Sequence, residues 1–225
     1  MNAPERTVDP DDVPQQGWSA FVASPLHNVH RARLQACFDN LELPAATLDA
    51  MLAQPRLRER LTRMLEQRFG LQPLDAIEPP QAADVPVATL GAPHLSELAR
   101  RCGVVFWAHA FVREIRAPAV RALRERFGDA LFDLALAEHT LACPVAAHEM
   151  PTTLDTLAAA VARDGQACVN AWLAEQPRAL AAWYRLKVDE PAGAAPVTAR
   201  IEHYGPPIVR RVVQLNVPAQ GVLDD

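Results

Sequence analysis

The chain has 225 residues, half of them hydrophobic and 22% charged, so it is long enough to bury a core in one larger or two small domains. This balance excludes an intrinsically disordered chain, and the formal net charge of −5 argues against a nucleic-acid-binding protein, which usually presents a basic face to phosphates. Glycine is scarce and alanine is abundant, which favours helices over sheets.

The N-terminal sequence and the cysteines predict a cytosolic location. The first residues are polar and acidic, so no signal peptide is expected, and no apolar run reaches the roughly 18 residues that a membrane span needs. The four cysteines lie far apart, and most of them occupy apolar positions of helical patterns, as buried free thiols do. They are Cys37, Cys102, Cys143 and Cys168. We therefore expect reduced thiols and no direct membrane insertion.

The N-terminal third predicts a tail followed by helices. Residues 1–17 combine prolines with acidic residues and are predicted to form a flexible acidic tail. Trp18 follows this tail and either anchors a partner protein or packs back on the fold. Apolar residues then recur at helical spacing through residues 25–70, with Pro55 at the start of one helix and Gly70 as its C-cap.

Residues 71–93 change character, because five prolines lie there among small and acidic residues. No regular element is expected in such a stretch. We interpret it as a long proline-rich loop, with a linker between two units as the alternative.

The main helical body is predicted over residues 94–217. Its first segment, from Ser96 to Arg116, is polar at both ends and apolar around most of its circumference in the middle, which is typical of a helix buried in the centre of a bundle. Further helices are expected from Pro118 to Gly128, from Asp129, from Thr152 or Thr153 with a weak point at Gly165, and from Pro177.

The valine-rich segment near the C-terminus is compatible with two structures. Residues 201–204 suggest a turn of helix that Pro206 and Pro207 interrupt, and residues 208–217 predict either a last helix or, because they are β-branched, one short strand. Residues 218–225 are expected to form a tail. The predicted fold is an all-α, irregular orthogonal helical bundle, with residues 18–217 as a single domain.

No sequence motif predicts catalysis. There is no glycine-rich phosphate loop, no GxSxG nucleophile elbow and no HExxH zinc motif. The three serines do not lie in a strand-turn-helix context. We therefore assign no catalytic, cofactor-binding or metal-binding residue and expect no cofactor.

One cluster of potential metal ligands was weighed against this expectation. His139 and Cys143 are four residues apart, on one face of a helix if it extends so far, and His148 follows, with Glu138 and Glu149 adjacent. A structural zinc site needs four correctly typed ligands. In addition, a proline follows the cysteine directly and disrupts the backbone there. We interpret the cluster as a capped helix end and keep a metal-dependent enzyme as the alternative.

Other polar side chains favour structural interpretations. His109 lies on the apolar face of the long central helix without an acidic residue at helical spacing to orient it, so we interpret it as a core histidine rather than a catalytic base. Two groups of arginines alternate with glutamates and are interpreted as solvated, salt-bridged helix faces. They are Arg56, Arg58, Arg60 and Arg63, and Arg121, Arg124 and Arg126.

Three segments carry a resemblance to a known family. They are LARRCGVVFWAHAFVREI at residues 98–115, FDLALAEHTL at residues 132–141 and AAWYRL at residues 181–186. Their helical texture and order resemble the SctK (YscK-type) accessory proteins of bacterial type III secretion systems, over residues 95–190.

The resemblance implies a function. Proteins of that family are non-enzymatic cytosolic adaptors of the sorting platform, linking the inner-membrane ring protein SctD to the C-ring-like protein SctQ and supporting protein export. We therefore expect SctQ-like and SctD-like partners and a location peripheral to the inner membrane. A type III secretion chaperone or substrate-binding protein is the alternative.

Overall fold

The computed structural model describes residues 12–38, 41–188 and 197–216. These residues form twelve α-helices joined by turns and six short 3-10 helices, and they contain no strand. The predicted all-α class is therefore confirmed for the described part of the chain. The helices are α1 Asp12–Ala23, α2 Arg31–Gln35, α3 Ala45–Ala53, α4 Pro55–Phe69, α5 Val85–Thr89, α6 Leu95–Phe106, α7 Ala108–Val112, α8 Ala117–Phe127, α9 Asp129–Ala137, α10 Leu154–Glu175, α11 Arg178–Arg185 and α12 Ala199–Asn216.

The chain divides into two compact units. The described residues of the first unit come from 12–92 and 177–188, and those of the second unit come from 93–176 and 197–216. Because α11 belongs to the first unit, that unit is discontinuous in sequence. The single domain expected for residues 18–217 is a statement about folding cooperativity and stays a prediction.

Helix α1 corrects the predicted boundary of the N-terminal tail, because residues 12–17 are helical. Pro14 lies in the first turn, where a missing N–H group removes no intrahelical bond. Further along the helix, Trp18 and Phe21 are buried, with ring centroids 5.6 Å apart. Trp18 therefore packs back on the fold. Residues 1–11 lie outside the described part of the chain.

The sequence predicted that residues 71–93 form a proline-rich loop without regular elements, and this prediction is wrong. The stretch contains α5 and two 3-10 helices, Leu74–Ala76 and Ala92–His94, and Pro86 lies in the first turn of α5, where proline is tolerated. Apolar residues between the prolines supply core of the first unit, which explains the regular structure. The buried ones are Leu74, Ile77, Val85, Val87 and Ala88.

The C-terminal segment is helix, so the alternative of a short strand is wrong for residues 208–216. Helix α12 continues through Pro206 and Pro207, and Val209, Val212 and Val213 behind them are buried. Their spacing gives one apolar stripe in a helix but would divide them between the two faces of a strand, so packing overrides the β-branched propensity. Val217 and the tail 218–225 lie outside the described residues.

The second unit is built around α10, which packs on α6 and α12. The segment from Ser96 to Arg116 was predicted as one buried helix, but it forms two, because the backbone at Trp107 leaves the helical region with φ −96° and ψ 15°. Trp107 is 7% exposed, and the residues before it are buried as predicted. No helix among the described residues is both long enough and apolar enough to cross a membrane.

Candidate protein-binding surface

A cluster of three buried phenylalanines packs α7 against α8 and α9. Phe111 of α7 is fully buried, and its ring lies edge-on to Phe127 of α8 at 5.0 Å and to Phe132 of α9 at 6.2 Å between centroids. Aromatic pairs with this geometry gain about 0.5–1.5 kcal/mol beyond the area that they bury. Phe111 therefore anchors α7 just before the connection to α8, residues 113–116, which we name the α7–α8 turn, and Phe127 anchors α8 at its far, C-terminal end.

An ion pair inside the α7–α8 turn fixes its conformation. The Glu114 carboxylate accepts a hydrogen bond from the backbone N–H of Arg116 at 3.0 Å and two more from the Arg116 guanidinium, from Nε at 2.9 Å and from Nη2 at 2.7 Å. The side-chain bonds from Arg116, followed by its backbone bond, lower the pKa of the Glu114 carboxyl to about 2. Glu114 is thus ionised at neutral pH, and these three hydrogen bonds close a small ring around Ile115.

Ile115 is displayed by this closed turn. It is 88% exposed, more than any other large hydrophobic side chain that the structure describes. Val112, three residues earlier at the end of α7, is 39% exposed. Singly exposed apolar residues are common on proteins, but this one lies on a turn that its two neighbours hold in place.

Three arginines lie in the turn and at the start of α8. Arg113 and Arg121 are exposed, and within the described residues neither makes an ion pair. The side chain of Arg116 is 77% exposed although it is paired with Glu114. Ile115 is therefore flanked in the chain by Arg113 and Arg116, and Arg121 follows in the second turn of α8.

The other arginines of α8 do not contribute to this surface. Arg124 pairs with Asp129 at 2.6 Å and Asp133 at 3.1 Å, and Arg126 lies 3.7 Å from Asp155. The predicted salt-bridged helix face is confirmed for these two residues. Arg121, predicted with them, is the exception.

The structure does not bring His139, Cys143 and His148 together as a metal site. No group of three or more His, Cys, Asp or Glu side chains that could hold a metal ion occurs among the described residues. His139 contacts the carbonyl of Leu136 through Nδ1 at 2.9 Å, and His148 is exposed in a 3-10 helix. Cys143 is buried, and burial raises the pKa of its thiol, which disfavours the thiolate that metals bind.

The two glutamates beside that cluster are used in ion pairs. Glu138 is 8% exposed and accepts two hydrogen bonds from Arg211, at 2.7 Å and 3.0 Å. Glu149 is exposed and accepts from Arg200 at 2.7 Å and 3.3 Å. Both carboxylates thus join the region around residue 140 to α12. His109, interpreted as a core histidine, is half-buried in α7.

Two buried polar groups were not predicted from the sequence. The indole N–H of Trp107 donates to Asp164 Oδ2 at 2.8 Å, and Asp164 also accepts from Arg163, beside a cavity of about 440 Å³ in the second unit. In the first unit, Lys187 is 2% exposed and donates to the carbonyls of Ala88 and Leu90. Both arrangements join residues far apart in sequence.

No family model matches the chain, and no curated protein or solved structure matches it.

Proposed function

We propose that the protein is a non-enzymatic adaptor that works by binding other proteins, and that it serves the sorting platform of a bacterial type III secretion system. Its partners would be an SctQ-like C-ring component and an SctD-like ring protein. It would act in the cytoplasm, peripheral to the inner membrane through these partners.

The observation that carries this proposal is the packing of two of the segments on which the resemblance rests. Residues 98–115 and 132–141 are separate in sequence but meet in the second unit, where Phe111 lies against Phe132. These two segments thus belong to one packed body, which also displays Ile115, whereas the third segment, residues 181–186, belongs to the first unit. Arginine is enriched at protein interfaces.

The test is co-purification of the full-length chain with its partners. The chain, carrying an affinity tag, is co-expressed with the SctQ-like protein and the cytoplasmic domain of the SctD-like protein from the same bacterium, and the complexes are analysed by size-exclusion chromatography with light scattering. We expect both partners to bind. The proposal is wrong if neither does, and a tight homodimer that binds an exported protein instead would favour a chaperone.

A further inference from the structure

The α7–α8 turn has the features of a preorganised binding element. Binding costs free energy wherever a loop must be ordered, and a turn already held in one conformation avoids that cost. Here the Glu114–Arg116 hydrogen bonds close the turn from within, and the contact of Phe111 with Phe127 packs α7 against the C-terminal end of α8. Ile115 can therefore enter a partner pocket with a smaller loss of backbone freedom than an open loop would incur.

The charges around Ile115 indicate the chemistry of the partner. Arg113, Arg116 and Arg121 carry three positive charges and Glu114, which is paired with Arg116, carries one negative charge, so the surface has a net charge of plus two. This basic surface belongs to a chain whose formal net charge is −5. A partner that covers Ile115 thus needs acidic side chains at the rim of its apolar pocket, because like charges opposite the arginines would be repelled.

The same charges disfavour a second copy of the chain as the occupant. A two-fold symmetric dimer through this surface would place the arginines of one copy against those of the other. Nucleic acid is disfavoured as well, because the most exposed side chain of the turn is the apolar Ile115, which makes no contact with phosphate. The chemistry favours a different protein.

We propose that residues 112–116 together with Arg121 form the docking surface for a protein partner that receives Ile115 in an apolar pocket with an acidic rim. This inference deepens the adaptor function and rests on it, because it names where one partner of the adaptor binds.

The test is site-specific photo-crosslinking of the full-length chain in its native bacterium. A benzophenone amino acid replaces Ile115 in one variant and Leu41, which is 61% exposed in the first unit, in the control. We expect a protein adduct at position 115 and not at position 41, with the crosslinked segment, mapped by mass spectrometry, rich in Asp and Glu. The charge-reversed double variant Arg113→Glu/Arg121→Glu should reduce the adduct about tenfold.

Purified proteins supply an independent measurement. Ile115→Asp should weaken the affinity for the crosslinked partner about tenfold or more, while Leu41→Asp leaves it unchanged. Because Ile115 is almost fully exposed, its replacement should leave the circular dichroism spectrum and the melting temperature of the protein unchanged.

The possible outcomes distinguish a failure of this proposal from a failure of the adaptor function. An acidic partner that is not a secretion component would retain the docking surface and overturn the sorting-platform role. Platform components that co-purify without an adduct at position 115 would overturn the docking surface alone. An adduct to nucleic acid, to a second copy of the chain or to a segment without acidic residues would also overturn it, as would an adduct that charge reversal does not reduce.

Discussion

The indole N–H of Trp183 donates a hydrogen bond of 2.8 Å to the carbonyl of Gln72, a residue 111 positions earlier in the chain. Trp183 is 1% exposed, so this bond lies in the core of the first unit. Two further bonds join the same regions, because Leu186 accepts from the backbone N–H of His30 at 2.8 Å and Val188 accepts from Arg33 Nε at 3.1 Å. Residues 177–188 thus complete a core that residues 12–92 leave open.

A fragment comprising residues 1–92 should therefore fail to fold cooperatively. Without α11 it loses Trp183 and exposes the apolar residues that pack around it, and an aromatic residue removed from a core typically costs about 3–5 kcal/mol. Addition of a peptide spanning residues 177–190 should restore helicity and a sigmoidal urea transition, measured by circular dichroism. The same peptide with Trp183→Ala is the control and should restore neither. A fragment that unfolds cooperatively alone would contradict this account.

Lys187 is the only lysine of the sequence and is buried in the first unit. Its amine donates to Ala88 and Leu90 at 2.5 Å and 2.7 Å and lies about 5 Å from the rings of Phe21 and Tyr184. Burial, which disfavours the charged form, lowers the pKa of this amine from 10.5 to about 7. The amine is therefore largely neutral in the folded protein at mildly alkaline pH.

The stability of the protein should consequently rise with pH between about 7 and 10.5. In that range the unfolded chain binds a proton at Lys187 and the folded chain does not, so the free energy of unfolding gains about 1.4 kcal/mol per pH unit. Below about pH 7 both states are protonated and this contribution no longer changes. Urea titrations of the wild type and of Lys187→Met at several pH values measure it, since the substitution removes this group and leaves the other titrating groups in place. Equal pH dependence in the two proteins would show that Lys187 stays charged in the fold.

The sequence predicted local structure better than it predicted contacts. Helix α4 begins at Pro55 and has Gly70 as a left-handed C-cap, and Thr153 caps α10, because these signals depend only on neighbouring residues. The sequence wrongly predicted a tail for residues 12–17 and left residues 208–216 open between helix and strand. The conformation of both segments follows from what Trp18 and Val212 pack against. Tertiary packing overrides local propensity in such segments.

The sequence did not predict the candidate surface, for a related reason. Ile115 lies in the polar end of the segment from Ser96 to Arg116, which the sequence predicts as one continuous helix. Its exposure follows from the end of α7 at Val112 and from the pairing of Glu114 with Arg116. A glutamate and an arginine two residues apart do not face each other in a helix, so their pairing requires a turn. This spacing was the one sign of a turn in the sequence, and the helical periodicity of the segment argued against it.

The hydrogen bond between Trp107 and Asp164 should contribute measurably to the stability of the second unit. Asp164 is 6% exposed, and hydrogen bonds to charged groups contribute about 1.5–3 kcal/mol. Trp107→Phe keeps an aromatic ring but removes the donor, and we expect a loss of about 2 kcal/mol in chemical denaturation.

A double-mutant cycle with Asp164→Ala isolates this bond from the change in ring size. In the Asp164→Ala background, Trp107→Phe should cost less than in the wild type, by an amount equal to the coupling energy. Equal costs in the two backgrounds would mean that the bond does not stabilise the fold.

Gly165 is a point of close approach between α10 and α6, although the sequence suggested a weak point of the helix there. A Cβ atom on Gly165 would lie 2.0 Å from the carbonyl oxygen of Ala99, and one on Gly103 of α6 would lie 1.9 Å from that of Val161. Backbone atoms cannot rotate away as side chains do, so Gly165→Ala must push the two helices apart. Overpacking of this kind costs typically about 1–3 kcal/mol, and we expect a loss of about 3 kcal/mol or more.

Gly17→Ala is the matched control, because it makes the same chemical change within helix α1. A Cβ atom at Gly17 would lie 3.7 Å from Val85 Cγ1, an ordinary contact distance. Alanine is favoured over glycine in a helix by up to about 1 kcal/mol, so this variant should be as stable as the wild type or slightly more stable. Urea denaturation of both variants makes the comparison. If Gly165→Ala is as stable as Gly17→Ala, helices α6 and α10 do not pack as closely as the structure places them.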